Sequence, residues 1–116
     1  MAAPIDVPIT TAFELEDVRI THNLGIVFGL VVRSMGFAKS FTAGFTAMRA
    51  GEVTEYTELL EDARRHAIDR MVANAKLLGA NGIIGMKFDS SEVGNGMGLT
   101  EVVAYGTAVV WERPAP

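Results

Sequence analysis

The sequence predicts an α+β fold in which one long helix packs on a small antiparallel sheet, in the order β-α-β-β. Three observations predict it. Val18 to Ser34 alternates side chains with period two, one set almost wholly apolar. Glu52 to Leu78 is amphipathic at helical spacing and ends at Gly79-Ala80-Asn81-Gly82. Two apolar runs, Ile83 to Val93 and Leu99 to Trp111, then follow around Asn95-Gly96, the pattern of a hairpin. A chain of 116 residues has the size of one domain. Residues 1–116 are therefore read as a single domain, with an extended or mobile lead-in over 1–8 and a core over about 18–113.

In chain order, Ile9-Thr10-Thr11 has β-branched character and reads as a short strand, and Phe13 to Asp17 as a turn or connector. In the first long strand Val18, Ile20, His22, Leu24, Ile26, Phe28, Leu30 and Val32 share one face, which is expected to be the buried one. Arg19, Thr21, Asn23, Gly25, Val27, Gly29, Val31 and Arg33 share the other. Gly25 and Gly29 mark a bulge, a bend or a close backbone approach, or else two shorter strands break at Gly25. Ser34 to Gly51 reads either as one short helix or as two irregular turns. Phe37, Phe41, Phe45 and Met48 recur there at helical spacing, but Gly36, Gly44 and Gly51 weaken it.

The long helix is the most strongly patterned element. Tyr56, Leu60, Ala63, Ala67, Met71, Asn74 or Ala75, and Leu78 make one stripe, widened by Leu59, Ile68 and Val72. Glu61, Asp62, Arg64, Arg65, Asp69 and Arg70 make a solvated face with pairs such as Glu61 and Arg65. Acidic Glu52, Glu55 and Glu58 favour the positive end of the helix dipole, and Gly79 fits the residue just past the end. On the last strand Val102, Ala104, Gly106, Ala108 and Val110 form a small-residue face that a helix can approach closely, and Gly106 is where it is expected to cross. Val103, Tyr105, Thr107, Val109 and Trp111 form a larger apolar face. A strand apolar on both sides in a two-layer domain points to a subunit interface.

Composition sharpens that expectation. Nearly half the residues are apolar, 49%, more than so small a domain buries alone, and the excess points to a homo-oligomer. The net charge of −4 argues against a nucleic-acid partner. The chain has no cysteine, which excludes disulfides and thiolate metal sites and fits a cytoplasmic protein. The N-terminus lacks the basic and apolar regions of a signal peptide, and Leu24 to Val32 is about half of a membrane span, so no membrane association is expected.

Leu24-Gly25-Ile26-Val27-Phe28-Gly29, Leu78-Gly79-Ala80-Asn81-Gly82-Ile83-Ile84-Gly85-Met86 and Val103-Ala104-Tyr105-Gly106-Thr107-Ala108-Val109 resemble the three motif blocks of the YbjQ-like proteins, a family also labelled putative heavy-metal-binding. The blocks occur in order and span about Val18 to Trp111. The resemblance implies a β-α-β-β subunit of dodecin-like type, assembled as a homopentameric ring, and implies no biochemical activity. The chain departs from the metal label by lacking cysteine, and Asn81 stands where that family commonly has Asp.

Candidate sites are sparse. His22 is either a metal ligand or acid–base group, or a hydrogen-bonded histidine near a strand end; one imidazole alone favours the second, although five copies on a ring axis would converge. His66 has Asp62 and Asp69 nearby on the helix, with Arg70 beside them, a weak oxygen and nitrogen cluster that more often is a solvated face. Asp89, Glu92 and Glu101 near the hairpin tip gather carboxylates for a cation or simply make a polar hairpin end. Gly94-Asn95-Gly96-Met97-Gly98 lacks the following helix of a phosphate loop. Phe37, Phe41 and Phe45 line a pocket or, more commonly, a core.

The sequence thus favours a structural or interaction protein that assembles with itself, with no cofactor and no tightly held transition metal. The alternative is a small-molecule or metal-binding module with its site at subunit interfaces. An enzyme with its site at a subunit boundary comes third, because no nucleophile–base pair is visible.

Overall fold

The computed structural model describes residues 7–34, 54–93 and 98–115. Strand β1 is Arg19–Ser34, helix α1 is Thr54–Leu77, and strands β2 (Gly82–Val93) and β3 (Leu99–Glu112) complete the chain order. The expected helix over 34–51, its aromatic row and the hairpin tip at Asn95-Gly96 lie outside the described residues, apart from Ser34 at the end of β1.

The sheet runs β1-β3-β2, antiparallel throughout. The last strand is therefore the middle one. That accounts for its apolar character on both sides, since a middle strand has neighbours at both edges and protein over much of each face. Along β2 the lead-in adds a short parallel contact, with Ile9 bridging Ile83. Ile83 N–H donates to Pro8 O, Thr10 N–H to Ile83 O, and Met86 N–H to Thr10 O, each at 3.0 Å. Val7 is buried with the core.

Helix α1 covers one face of the sheet. Ala63, Ala67, Met71 and Ala75 are fully buried, at the spacing the stripe predicts. At its end Ala80 N–H donates to Ala75 O and Gly79 N–H to Lys76 O, with Gly79 at φ 86°. This is a Schellman ending, which satisfies two carbonyls of the last turn and needs a residue that accepts positive φ. Leu78, placed in the stripe by spacing, is instead half exposed, because the helix has already turned away there.

Two corrections concern what the helix meets. First, the apolar face of β1 is not the buried one over its second half. Val27, Gly29 and Val31 face the core, while Ile26, Phe28, Leu30 and Val32 are exposed. Leu24, from the opposite set, still packs on the core. The register against β3 shifts between Ile20 and His22 and between Asn23 and Gly25, where Gly25 takes φ 94°. Each shift of one residue exchanges the faces, so the alternation does not carry one side through the whole strand.

Second, the helix crosses at Gly29 rather than Gly106. A Cβ on Gly29 would stand 2.2 Å from Ala67 O and 2.3 Å from Met71 N, inside the helix backbone itself. A Cβ on Gly106 would instead meet Ile83 Cγ2 at 2.8 Å and Ile84 O at 2.9 Å. Gly106 does lie in the row facing the helix, since Val27 pairs with it and both are buried. Its crowding comes from β2, whose register shifts between Ile84 and Lys87 and folds strand backbone toward position 106.

Candidate functional site

The sheet's second face is the least ordinary surface of the protein. Its lower half is closed by the connector from Phe13 to Asp17: Leu15 lies beside Trp111 at Gly82, and Phe13 rests over Gly85. Under this cover Val109 is fully buried. The upper half is open. Ile26 (78% exposed), Phe28, Leu30 and Val32 stand in a row on β1, next to Tyr105 on β3. Phe28 pairs with Tyr105 and Leu30 with Val103, so these side chains share a side. On β2 the same side carries Lys87, Asp89 and Ser91, paired with Tyr105, Val103 and Glu101. The open face therefore grades from apolar at the β1 edge to polar at the β2 edge.

The apolar row continues around the β1 edge onto the helix end. Ile26, Val27 and Phe28 line a groove with Asn74, Leu77 and Leu78. Leu77 is 85% exposed. A second groove beside it is lined by Phe28, Leu30, Arg70, Ala73 and Asn74. Contiguous apolar surface of this kind on a small domain marks an interaction site more often than an isolated exposed leucine does.

Between the helix and that edge runs a polar seam. Asn74 Nδ2 donates to Phe28 O at 2.8 Å, and Arg70 Nη1 reaches Leu30 O at 3.4 Å. Arg33 Nη2 donates to Asp62 Oδ2 at 2.9 Å and to His66 Nδ1 at 2.9 Å. Residues 62, 66, 70 and 74 recur every four positions, so one line of the helix supplies all four partners. Side chains thus occupy outward-pointing carbonyls of an edge strand, a means of keeping another strand from adding there. The Arg33–Asp62 pair is partly exposed and contributes on the order of 0.2–1 kcal/mol. Arg33 Nε is buried with no hydrogen-bond partner among the described residues.

The seam explains what becomes of the helix cluster read from spacing. Asp62 and His66 do come together, but around the guanidinium of Arg33, which already supplies the positive charge. As acceptor from Arg33, the Nδ1 atom of His66 has its lone pair occupied. Asp69 is exposed and is not one of Arg33's partners in these contacts. His22 is exposed on β1, with Nδ1 3.1 Å from Thr21 Oγ1. Near the hairpin, Glu101 accepts from Ser91 Oγ at 3.1 Å. Asp89 and Glu92 are three apart on β2, so the pleat sends them to opposite faces and the three carboxylates do not converge. Among the described residues no group of three or more His, Cys, Asp or Glu side chains is arranged to hold a metal ion. Among them also, no helix is long and apolar enough to cross a membrane.

Asn81 has a structural task that spacing did not show. Its Oδ1 accepts from Trp111 N–H at 2.9 Å while its Nδ2 donates to Trp111 O at 3.0 Å. Trp111 Nε1 donates back to Asn81 O. An amide alone offers a donor and an acceptor side by side, so it substitutes for a strand residue beside Trp111; a carboxylate would set an oxygen against Trp111 O.

Comparison with known proteins agrees with this description. The family model described as "Putative heavy-metal-binding", of the YbjQ-like proteins, matches residues 7–112. A UPF0145 protein of Bradyrhizobium sp. (strain ORS 278) is 48% identical over 104 residues, 90% of this chain and 92% of that protein. A UPF0145 protein of Methanoregula boonei is 51% identical over 94 residues, covering 81% of this chain and 77% of that one. A crystal structure of a protein of unknown function from Pediococcus pentosaceus, assigned to the DUF74 family, superposes with TM-score 0.63 at 19% identity, covering 90% and 96% of the two chains. That likeness shows the fold. None of these names carries an enzymatic activity.

Proposed function

This chain belongs to the YbjQ-like family, and we propose that it acts as a structural or interaction protein, one subunit of a closed homo-oligomeric ring. The observation that carries the proposal is the bare row Ile26, Phe28, Leu30 and Val32 with Leu77 and Leu78 beside it. Leaving these side chains in water forgoes roughly 25 cal/mol for each Å² that a partner would cover. A copy of the same chain is the partner always present at matching concentration. Five subunits is the number the family resemblance implies, and the absence of cysteine fits a cytoplasmic setting. The net charge of −4 supports a partner list without nucleic acid. Light scattering after size exclusion tests the ring: the expected mass is five times the 12.4 kDa of the subunit, and a monomer at micromolar concentration overturns it.

The second reading is a metal or small-molecule binding module with its site where subunits meet. The family's description favours it. Subunit contacts could gather ligands that one chain separates, such as copies of His22. Elemental analysis of untagged protein decides between the two. The structural reading expects less than one zinc, copper or nickel per ring, and a stoichiometric metal that survives dialysis supports the binding module.

A further inference from the structure

Among the described large apolar side chains, the three most exposed are Leu77 (85%), Ile26 (78%) and Phe13 (74%). Leu77 and Ile26 belong to one groove at the β1 edge. Phe13 does not. It rests over Gly85 on β2, and the backbone beside it is tied to that strand by Gly85 N–H donating to Ala12 O at 2.7 Å. In a sheet of order β1-β3-β2, groove and Phe13 therefore lie at opposite edges.

Their charges are opposite too. Phe13 is followed by Glu14, Glu16 and Asp17, all exposed, with no basic residue among positions 13–17. Beside the groove stands Arg70, which lines the neighbouring one; Asp69 is the single acid over 66–78. A symmetric contact, groove on groove, would set Arg70 against its own copy. A head-to-tail contact sets it against Glu14, Glu16 and Asp17. Juxtaposed like charges cost free energy and opposite ones steer encounter, so the pattern selects the second arrangement. Only a heterologous contact of that kind closes into a ring of odd number.

We propose that Phe13 of one copy inserts into the groove formed by Ile26, Phe28, Asn74, Leu77 and Leu78 of the next, with its acidic flank against Arg70. This rests on the ring reading above and assigns the contact that builds it. The groove has a volume of about 350 Å³, and a cavity of about 150 Å³ suffices for a benzene ring. An aromatic anchor in an apolar pocket with a charged rim is the usual composition of an interface hot spot.

Mixing two variants tests it. Phe13→Ser removes the anchor and keeps the groove; Ile26→Asp spoils the groove and keeps the anchor. Both positions are exposed, and far-ultraviolet dichroism confirms that each variant keeps its helix and sheet. Each alone should run as a 12.4 kDa monomer, and their equimolar mixture should run at twice that mass, as a pair capped at both ends. If both are monomeric and the mixture stays so, the insertion is overturned. If wild type assembles and Phe13→Ser keeps the same mass, the ring stands and the insertion is again overturned. If wild type is itself a monomer, the ring reading fails and takes the contact with it. Glu16→Lys, which removes no apolar contact, should raise the half-dissociation concentration several-fold, and an unchanged value overturns the assigned charge pairing.

Discussion

The two faces of strand β1 differ in apolar content, and over its second half the more apolar face is the one left open. Val27, Gly29 and Val31 lie under the helix; Ile26, Phe28, Leu30 and Val32 lie in the open. Hydrophobicity alone would choose the other arrangement, because the open set is larger and more apolar. Close approach decides instead. The stripe of α1 is built largely of alanine, and at Gly29 the helix backbone comes within 2.2 Å of where a Cβ would be. A close helix–sheet contact with small residues excludes water completely and satisfies dispersion at every atom. Phe28 cannot take part in such a contact. The bulky set is thereby left exposed.

The comparison can be broken most directly at Gly29. Gly29→Val should cost about 3 kcal/mol or more, above the common range for overpacking, because the obstacle is helix backbone rather than a side chain that can turn away. Urea unfolding measures it, and a variant as stable as the parent would mean that the helix does not cross there. Gly106→Val is the paired control. It sits in the same buried row but meets Ile83 and the bulge of β2, so the expected cost is about 1–3 kcal/mol, partly offset by valine's preference for strands. A larger loss at 106 than at 29 would reverse the assignment of the crossing point.

Asn74→Ala probes the seam between the faces. Losing the donor to Phe28 O at an exposed edge should cost about 0.5–1.5 kcal/mol. A loss accompanied by larger, concentration-dependent aggregates would show that Asn74 keeps the β1 edge from pairing. The smallest effect on the chain's own stability belongs to the outer face. Phe28→Ser should change the unfolding free energy of the monomeric species by less than about 0.5 kcal/mol, while light scattering shows loss of assembly. A destabilisation of several kcal/mol in the monomer would mean that Phe28 is core after all.

The sequence by itself determined the elements and their order. Period-two alternation located β1 and the hairpin strands, a period near 3.6 located α1, and Gly79 located the helix end, because each is a local consequence of backbone geometry. The buried Ala63, Ala67 and Met71 were legible for the same reason, while spacing left Asn74 and Ala75 as alternatives and the structure buries Ala75. The two glycines of β1 were recognisable as special but not assignable: Gly25 proved to be an irregularity in register and Gly29 a close approach. Only the tertiary structure decided that β3 is the middle strand, which side of β1 the helix covers, and that Asp62 and His66 meet Arg33. These depend on pairings between residues up to some ninety positions apart and on one-residue register shifts. Alternation in a sequence records that two faces exist, and a bulge changes which of them is inside without changing a single residue type.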